Sequence, residues 1–413
     1  MNYHDQTKRI LIISLLFEPN TRVGAKRFSF LSRILEGKYP ELHVLTLKEK
    51  CILQKDNFVA SAGTIHCAGM YPAYPFKVTN IFKRIFNRLW VDYLCLVDQS
   101  SGWILPALFK GFKIIKANKI NLIIATGPPF SPMVVAYFLS FLGKTKLILD
   151  YRDPWTNRHQ NYSRKSGRRI NQRLEKLCIS RASAVVFCSR IMMESFRDSL
   201  GKYTKATYHV VTNGFYNRDT TEPLDLENGA RNMVYAGSLS GERRIELLAE
   251  PLSHLLDEGT ISKNSFRCHI FGKLKNEDRE IIRKYGLSEI FKEQPRVPYA
   301  QIIKYMKGAD ILFLPSGSDV SYAIPYKFFD YLSVKRPILA VAPQNSAVAE
   351  LMSQIDCGRL ALINSQESIL QNLRAMILEE KGYTYFGSDM YSWETIGLKY
   401  IHVIEKTFIS EQN

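Results

Sequence analysis

The chain has 413 residues, which is enough for two domains of ordinary size. Apolar residues make up 46% and aromatic residues 12% of the chain, a composition that excludes a disordered protein and allows two hydrophobic cores. The formal net charge of +17 leaves three interpretations open: a basic solvated surface, a nucleic-acid partner or an anionic membrane surface.

The start of the chain has some features of a signal peptide, because Lys8 and Arg9 precede an apolar run from Ile10 to Phe17. That run is short, and Glu18 follows it with no small-residue cleavage site, so a first β-strand is favoured. No apolar run approaches the ~20 residues that a membrane helix needs. Seven scattered cysteines without a CxxC pair predict buried thiols in a reducing compartment, not a zinc site or a disulfide framework.

In the first half, apolar runs typical of strands alternate with helical patterns. The predicted strands are Ile10–Leu16, Leu42–Leu47, Leu122–Ala125, Lys146–Asp150, Ala184–Cys188 and Tyr208–Val211, with helices such as Arg22–Leu35, Pro132–Leu142 and Ile170–Arg181 between them. This alternation predicts a doubly wound parallel sheet.

The second half repeats the pattern after a polar, acidic stretch at 217–231 that is typical of an interdomain linker. The predicted strands are Asn232–Tyr235, Arg267–Phe271, Ile311–Leu314 and Pro337–Val341, with helices such as Arg244–Leu256, Asp278–Tyr285, Tyr299–Met306 and Ser346–Ser353. We therefore predict an α/β protein with domains at 1–215 and 216–389, and a last amphipathic helix within 390–413.

Part of the positive charge is concentrated in the segment 74–120. Its basic residues are Lys77, Lys83, Arg84, Arg88, Lys110, Lys113, Lys116 and Lys119, and they are interleaved with Phe82, Phe86, Trp90, Tyr93, Trp103, Phe109 and Phe112. A second basic cluster lies at 164–173. Aromatic side chains beside a basic stripe are typical of a membrane interface, while a solvated face above core aromatics explains the pattern equally well.

The segment 324–332 predicts a turn and a short helix after the strand that ends at Leu314. A helix that begins at the carboxyl end of a strand presents free backbone N–H groups, which bind phosphate. Lys327 adds a positive charge in the first turn. Asp330, three residues later, can accept hydrogen bonds from a ribose. This combination predicts a site for a nucleoside diphosphate.

The sequence of 325–332, PYKFFDYL, resembles the nucleotide-sugar motif of GT-B glycosyltransferases, especially of family 4, in a branch that builds bacterial surface polysaccharides. That family often has two glutamates separated by seven residues. Asp330 stands at the second position and Tyr322 at the first. Further similar stretches, in the same order as in the family, are 17–19 with 24–27, 126–129, 150–155 and 391–394. The resemblance implies two Rossmann-like domains with a cleft between them, and a last helix that packs back on the first domain.

The glycine- and serine-rich stretch 236–244 follows the first strand of the second domain and allows the backbone to approach a phosphate closely. The resemblance implies that Arg243 or Arg244 binds the diphosphate, and which of the two does so is left open. Lys273 is either a second diphosphate cation or a surface lysine. The resemblance also places Gly24, after the first strand, near the donor phosphates or the acceptor.

The remaining candidates lie on the sugar side and on the acceptor side. The sugar-side residues implied by the motif and by the loop before it are Ser318, Asp319, Tyr322, Ile324 and Pro325, with an ordinary polar turn as the alternative for the loop.

On the acceptor side, Asp153 is a carboxylate just after a strand, which is typical of a catalytic base or a group that orients the acceptor. Arg152 is predicted to bind an acceptor phosphate. A structural ion pair between the two is the alternative.

We therefore predict a glycosyltransferase that retains the anomeric configuration and moves a sugar from a nucleotide-sugar donor to a lipid-linked or growing glycan. Neither a metal nor another cofactor is expected. The expected location is cytoplasmic, with attachment to the anionic inner face of the membrane as a further expectation. The alternatives are a non-hydrolysing nucleotide-sugar epimerase of the same architecture and a basic, non-enzymatic binding protein. No RNP motif, zinc finger or helix-turn-helix favours nucleic acid.

Overall fold

The structure, a computed structural model, describes residues 7–20, 22–48, 63–71, 97–156, 165–217, 221–226, 229–378 and 382–409. The chain forms two compact units. Unit 1 comprises Met1–Thr212 and Trp393–Asn413, and unit 2 comprises Asn213–Ser392. The chain passes between the units after Thr212 and after Ser392, and the predicted boundaries, after 215 and after 389, each lie three residues away.

Unit 1 contains a parallel sheet and the helices that cover it. Its elements are β1 (Ile10–Ile13), α1 (Val23–Lys38), β2 (Leu42–Leu47), β3 (Thr64–Ala68), α2 (Ile104–Asn118), β4 (Leu122–Gly127), α3 (Ser131–Gly143), β5 (Lys146–Tyr151), α4 (Lys165–Arg181), β6 (Ala184–Phe187), α5 (Arg190–Leu200), β7 (Thr207–Val210) and, from the end of the chain, α12 (Trp393–Ile409).

Unit 2 repeats this architecture with one strand fewer. Its elements are β8 (Arg231–Ala236), α6 (Glu246–Asp257), β9 (Phe266–Phe271), α7 (Asn276–Lys284), β10 (Phe291–Gln294), α8 (Tyr299–Gly308), β11 (Ile311–Pro315), α9 (Tyr326–Val334), β12 (Ile338–Ala342), α10 (Ala347–Met352), β13 (Gly358–Leu362) and α11 (Gln366–Leu378).

Both sheets are doubly wound, which confirms the predicted fold class. The strand orders are β3-β2-β1-β4-β5-β6-β7 and β10-β9-β8-β11-β12-β13, and the paired strands are parallel throughout. In each unit the order reverses beside the first strand, between β1 and β4 and between β8 and β11. Loops at the carboxyl ends of these strands diverge to opposite faces of the sheet, and the crevice between them is where ligands of such folds bind.

Burial explains which strands the sequence predicts. Central strands such as β1, β4 and β11 are buried along their whole length, so they read as continuous apolar runs. The sequence analysis missed β3, β10 and β13. All three lie at sheet edges and are largely half-exposed or exposed, so they lack the continuous apolar run that marks the buried central strands.

The last helix, α12, belongs to unit 1, where it packs on α1. The Trp393 ring lies 5.3 Å from that of Phe30, and the Tyr400 ring stands edge-on to Phe28 at 5.7 Å. A Cβ on Gly397 would lie 2.5 Å from Cγ2 of Ile34, so the two helices pack too closely there for a larger residue. None of the helices in the described ranges combines the length and the apolar composition needed to span a bilayer.

A fully buried ion pair joins α1 to the sheet of unit 1. Nη2 of Arg27 lies 2.8 Å from the Asp150 carboxylate at the end of β5, and the two side chains are 1% and 0% exposed. Arg27 also donates to the carbonyl oxygens of Val211 and Thr212, and Thr126 on β4 donates to Asp150. Burial opposes the charge of Arg27, but the attraction and hydrogen bond of Asp150, together with the neighbouring Cys188 and Tyr400, outweigh it, so the pKa of Arg27 is raised.

We expect Arg27→Met to destabilise unit 1 by about 3–5 kcal/mol, because Asp150 is left buried without a counter-charge. Adding Asp150→Asn should recover part of this loss. Arg9→Met is the matched control, because the Arg9–Glu41 pair is 31% and 44% exposed and should contribute at most about 1 kcal/mol. Urea denaturation of the three variants checks this, and equal losses for Arg27→Met and Arg9→Met would contradict it.

Candidate active site

Two glycines bring backbone segments together at the carboxyl ends of β8 and β9 in unit 2. A Cβ on Gly272 would overlap the carbonyl oxygen of Gly237. A Cβ on Gly237, whose φ is +151°, would overlap the ammonium group of Lys327. Both positions therefore require glycine, and Lys327 lies directly on the backbone of the loop that follows β8.

Lys327 is a half-buried cation in the first turn of α9. Its Nζ lies 4.5 Å from the centre of the Tyr235 ring and 3.4 Å from the Tyr235 hydroxyl oxygen. Within the described ranges it forms no ion pair. Burial lowers its pKa to about 8, repulsion from Arg243 acts in the same direction, and Asp330 opposes both. An anion bound here would relieve both the desolvation and the repulsion.

The structure distinguishes the two candidate arginines. Arg243 is half-buried, its charge acts on Lys327, and its guanidinium donates to Oγ of Ser240 at 2.9 Å. Arg244 is exposed. Lys273 is also exposed, and its charge helps to lower the pKa of Glu293, an arrangement typical of a surface lysine.

Glu242 ties two loops of the site together, a role that the sequence analysis did not predict. Its carboxylate accepts a hydrogen bond of 2.6 Å from the backbone N–H of Ser318, at the start of a 3-10 turn that also contains Asp319. Gly317 packs against the Glu242 side chain. The loop after β8 is thereby fixed to the loop after β11. A glutamate in a loop gives no sequence signal for such a contact.

The predicted ribose and sugar residues lie around the start of α9. Asp330 is buried and accepts a hydrogen bond from the Tyr299 hydroxyl, whose side chain is itself 40% exposed. Tyr322 is half-buried, Pro325 precedes the first residue of α9, and Ile324 packs against the core of the unit.

Ser316 lies at the end of β11. Its Oγ is buried and forms no hydrogen bond within the described part of the chain. The site therefore contains the ammonium group of Lys327, the Asp330 carboxylate that accepts from Tyr299, and the Ser316 hydroxyl, which has no partner among the described residues.

The acceptor-side candidates lie at the corresponding edge of unit 1. The guanidinium of Arg152 donates to the carbonyl oxygens of Gly24 and Pro128, so it links the first turn of α1 to the loop that follows β4. A Cβ on Gly24 would overlap this guanidinium. Burial lowers the pKa of Arg152, and the charges of Asp150 and Asp153 act the other way. Asp153 is half-buried beside it.

The N-terminus of α3, at the same edge, is filled by the protein itself. The Asp98 carboxylate accepts hydrogen bonds from the backbone N–H groups of Phe130 and Ser131, at 2.7 and 2.8 Å, and from the Ser131 hydroxyl. This helix end is therefore not open to a phosphate.

Some of the basic and aromatic positions predicted for a membrane interface lie outside the described residues. They comprise the positions from Lys77 to Tyr93, and Arg164. Lys110, Lys113 and Lys116 lie on α2, as the spacing of three indicated, and all three are exposed. Among the described residues there is no group of three or more His, Cys, Asp or Glu side chains arranged to hold a metal ion.

Family models match both units. The model described as Glycosyltransferase Family 4 matches residues 71–216, and the model described as Glycosyl transferases group 1 matches residues 218–393. Together they cover most of the chain in the order expected for the two-domain architecture. The chain is therefore an enzyme of the GT-B class of glycosyltransferases. Within that class it belongs to the glycosyltransferases that resemble family 4.

Solved structures agree in fold at low sequence identity. Sucrose-phosphate synthase from Thermosynechococcus elongatus has a TM-score of 0.69 and 13% identity, over 98% of this chain and 100% of that one. HepE from Anabaena, solved in complex with UDP and glucose, has a TM-score of 0.60 and 13% identity, over 97% of this chain and 100% of that one. The lipopolysaccharide outer core galactosyltransferase WaaB has a TM-score of 0.62 and 13% identity, over 96% of this chain and 99% of that one. A comparison with curated proteins gives no significant match.

The two family models favour one of the predicted functions. Both family models describe glycosyltransferases, which favours that prediction over the epimerase and over a non-enzymatic binding protein.

A buried carboxyl group supports the loop that carries Asp153. Glu175 on α4 accepts hydrogen bonds from the backbone N–H and the hydroxyl of Thr156, and Trp155 donates to Asn171 on the same helix at 2.8 Å. Burial raises the pKa of Glu175 to about 7, although the hydrogen bonds from Thr156 oppose the shift.

Because its pKa is higher in the folded than in the unfolded chain, Glu175 should destabilise the fold progressively as pH rises from about 4.5 to about 7. We expect Glu175→Gln to remove this pH dependence, which amounts to roughly 3 kcal/mol. Thermal melts between pH 5 and pH 8 check it. Glu194→Gln, in an exposed pair with Arg190, is the control that should keep the wild-type profile, and an unchanged profile for Glu175→Gln would refute the assignment.

Proposed function

We propose that the crevice between β8 and β11 binds the diphosphate of a nucleotide-sugar donor, and that the enzyme transfers the sugar to a glycan acceptor. The observation that carries the proposal is Lys327: its ammonium group is held on the Gly237 backbone beside Arg243, burial lowers its pKa, and it forms no ion pair within the described residues. The diphosphate is the ligand whose charge and shape match such a pair of cations.

The chemistry breaks the bond between the anomeric carbon and a diphosphate oxygen. Negative charge grows on the leaving phosphate while the sugar becomes oxocarbenium-like. In our proposal Lys327 and Arg243 stabilise that charge, and the buried Oγ of Ser316 donates to the donor. Asp330 shares its carboxylate between Tyr299 and the ribose. The anomeric configuration is retained without a protein nucleophile.

Unit 1 supplies the acceptor side in this proposal. Asp153 orients the acceptor hydroxyl or takes its proton, and Arg152 positions the first turn of α1 and the loop after β4 through its contacts with the carbonyl oxygens of Gly24 and Pro128. We propose a lipid-linked or growing glycan as the acceptor, in polysaccharide biosynthesis at the inner face of the cytoplasmic membrane. The 325–332 motif and the similarity in fold to WaaB support this acceptor class.

The base of the donor is proposed to be uracil. HepE, whose structure was solved with UDP and glucose, shares the fold over nearly the whole of both chains, which supports a UDP-sugar as the first donor to test. Guanosine and adenosine diphosphates are the comparison ligands.

The pH dependence of UDP binding tests Lys327. Because its pKa is about 8 in the free protein, binding should weaken above pH 8, by up to about fivefold between pH 8 and pH 9, as the protonated fraction of Lys327 falls. Lys327→Arg should bind with little change over this range, because arginine stays charged. Lys327→Ala should bind at least about tenfold more weakly at pH 7.

Calorimetric titration at several pH values measures this, with the exposed Lys304→Ala as the control. Wild-type binding that is independent of pH, or undiminished in Lys327→Ala, would refute the role of Lys327.

Turnover tests the rest of the proposal. With side-chain cations as the counter-charge, transfer of a radiolabelled sugar from its UDP donor to an undecaprenyl-linked acceptor should persist in excess EDTA. Omission of the acceptor should abolish the reaction. Loss of activity in EDTA that added Mg²⁺ restores would overturn the metal-free proposal. Interconversion of the donor sugar without acceptor would instead indicate an epimerase.

A further inference from the structure

The outer surface of α2 and α3 in unit 1 exposes large apolar side chains. Leu105, Phe109, Phe141 and Leu142 are 66%, 73%, 70% and 59% exposed, and Phe138 is 43% exposed. We call these five residues the apolar face. Single exposed apolar residues are ordinary, but five on two neighbouring helices mark an interaction site.

Contacts at two glycines show how α2 and α3 are aligned along their lengths. A Cβ on Gly111 of α2 would overlap Leu139 of α3, and one on Gly143 of α3 would lie 2.9 Å from Cγ2 of Ile115 of α2. In both contacts the residue on α3 lies 28 positions after the residue that it meets on α2. The two helices are therefore parallel, with a constant offset of 28 residues. Lys113 therefore lies level with Phe141, and Lys116 level with Lys144. The exposed side chains of the two helices form one continuous surface.

The charge of this surface has a single sign. Lys110, Lys113 and Lys116 are exposed on α2, Lys119 and Lys144 follow the two helices, and the sequence has no acidic residue from 99 to 149. The ammonium group of exposed Lys116 lies over the ring of half-buried Phe112, 4.6 Å from the ring centre, so positive charge and aromatic surface adjoin on this face.

We propose that the apolar face and its lysines bind the surface of a bilayer that contains anionic phospholipids. The Phe and Leu side chains enter the region between head groups and acyl chains, and the lysines bind the lipid phosphates. A second copy of the chain fits less well, because a twofold contact would set lysines against lysines. The face shares no residue with the donor site, and the proposal stands whether or not the acceptor is a lipid.

Vesicle flotation tests the proposal with the full chain. We expect it to float with vesicles of phosphatidylcholine and phosphatidylglycerol at low salt, less at high salt, and little with phosphatidylcholine alone. Phe109→Ser with Phe141→Ser should lower binding at least about tenfold. Lys113→Gln with Lys116→Gln should lower it and reduce its salt dependence. Phe386→Ser, on an 83% exposed phenylalanine of unit 2, is the matched control.

Thermal melts and UDP titration of each variant show whether the fold and the donor site are intact, so failure of this proposal is distinct from failure of the donor site. Absence of flotation with anionic vesicles at low salt would overturn the proposal. So would equal binding by the double phenylalanine variant. Concentration-dependent dimerisation of the wild type that this variant loses, without vesicle binding, would assign the face to a second copy instead.

Discussion

The ion pair between Arg27 and Asp150 is the interaction on which unit 1 depends. It connects α1, the ends of β4 and β5 and the segment after β7 at one buried point, and every polar contact is made between groups of the chain itself. Burying two charges is unfavourable unless their geometry and remaining hydrogen bonds are satisfied, as they are here. The contacts join the first turns of α1, which contain Gly24, to the end of the strand that precedes Asp153.

The equivalent edge of unit 2 is built in the opposite way. Lys327 is also taken out of water, yet its neighbours are an aromatic ring, a glycine backbone and another cation. Arg27 has its hydrogen-bonded counter-ion, whereas burial and repulsion from Arg243 outweigh the attraction of Asp330 at Lys327, and an anionic ligand would offset that unfavourable electrostatic free energy. This contrast explains why we assign the donor diphosphate to unit 2 and a positioning role to Arg152 in unit 1.

Gly24 and Gly237 each lie against a charged side chain of their own unit. Each follows the first strand of its unit, and the resemblance implies a place near phosphate for the first of them. In the structure Gly24 leaves room for the Arg152 guanidinium, and Gly237 leaves room for the Lys327 ammonium. Glycine is required in both places because a charged side chain packs directly on the backbone, and the sequence does not reveal which side chain that is.

The sequence by itself determined the fold class, because buried central strands such as β1 and β11 need continuous apolar runs and parallel strands need crossover helices. It also determined the helix at 326–334 with Lys327 in its first turn. Only the tertiary structure decided the edge strands β3, β10 and β13, whose exposed residues carry no strand signal. It alone decided the pairing of Arg27 with Asp150, the contact of Glu242 with Ser318, and which of two adjacent arginines lies beside Lys327. These contacts join residues far apart in the chain, and local propensity holds no information about such pairs until the sheet order brings them together.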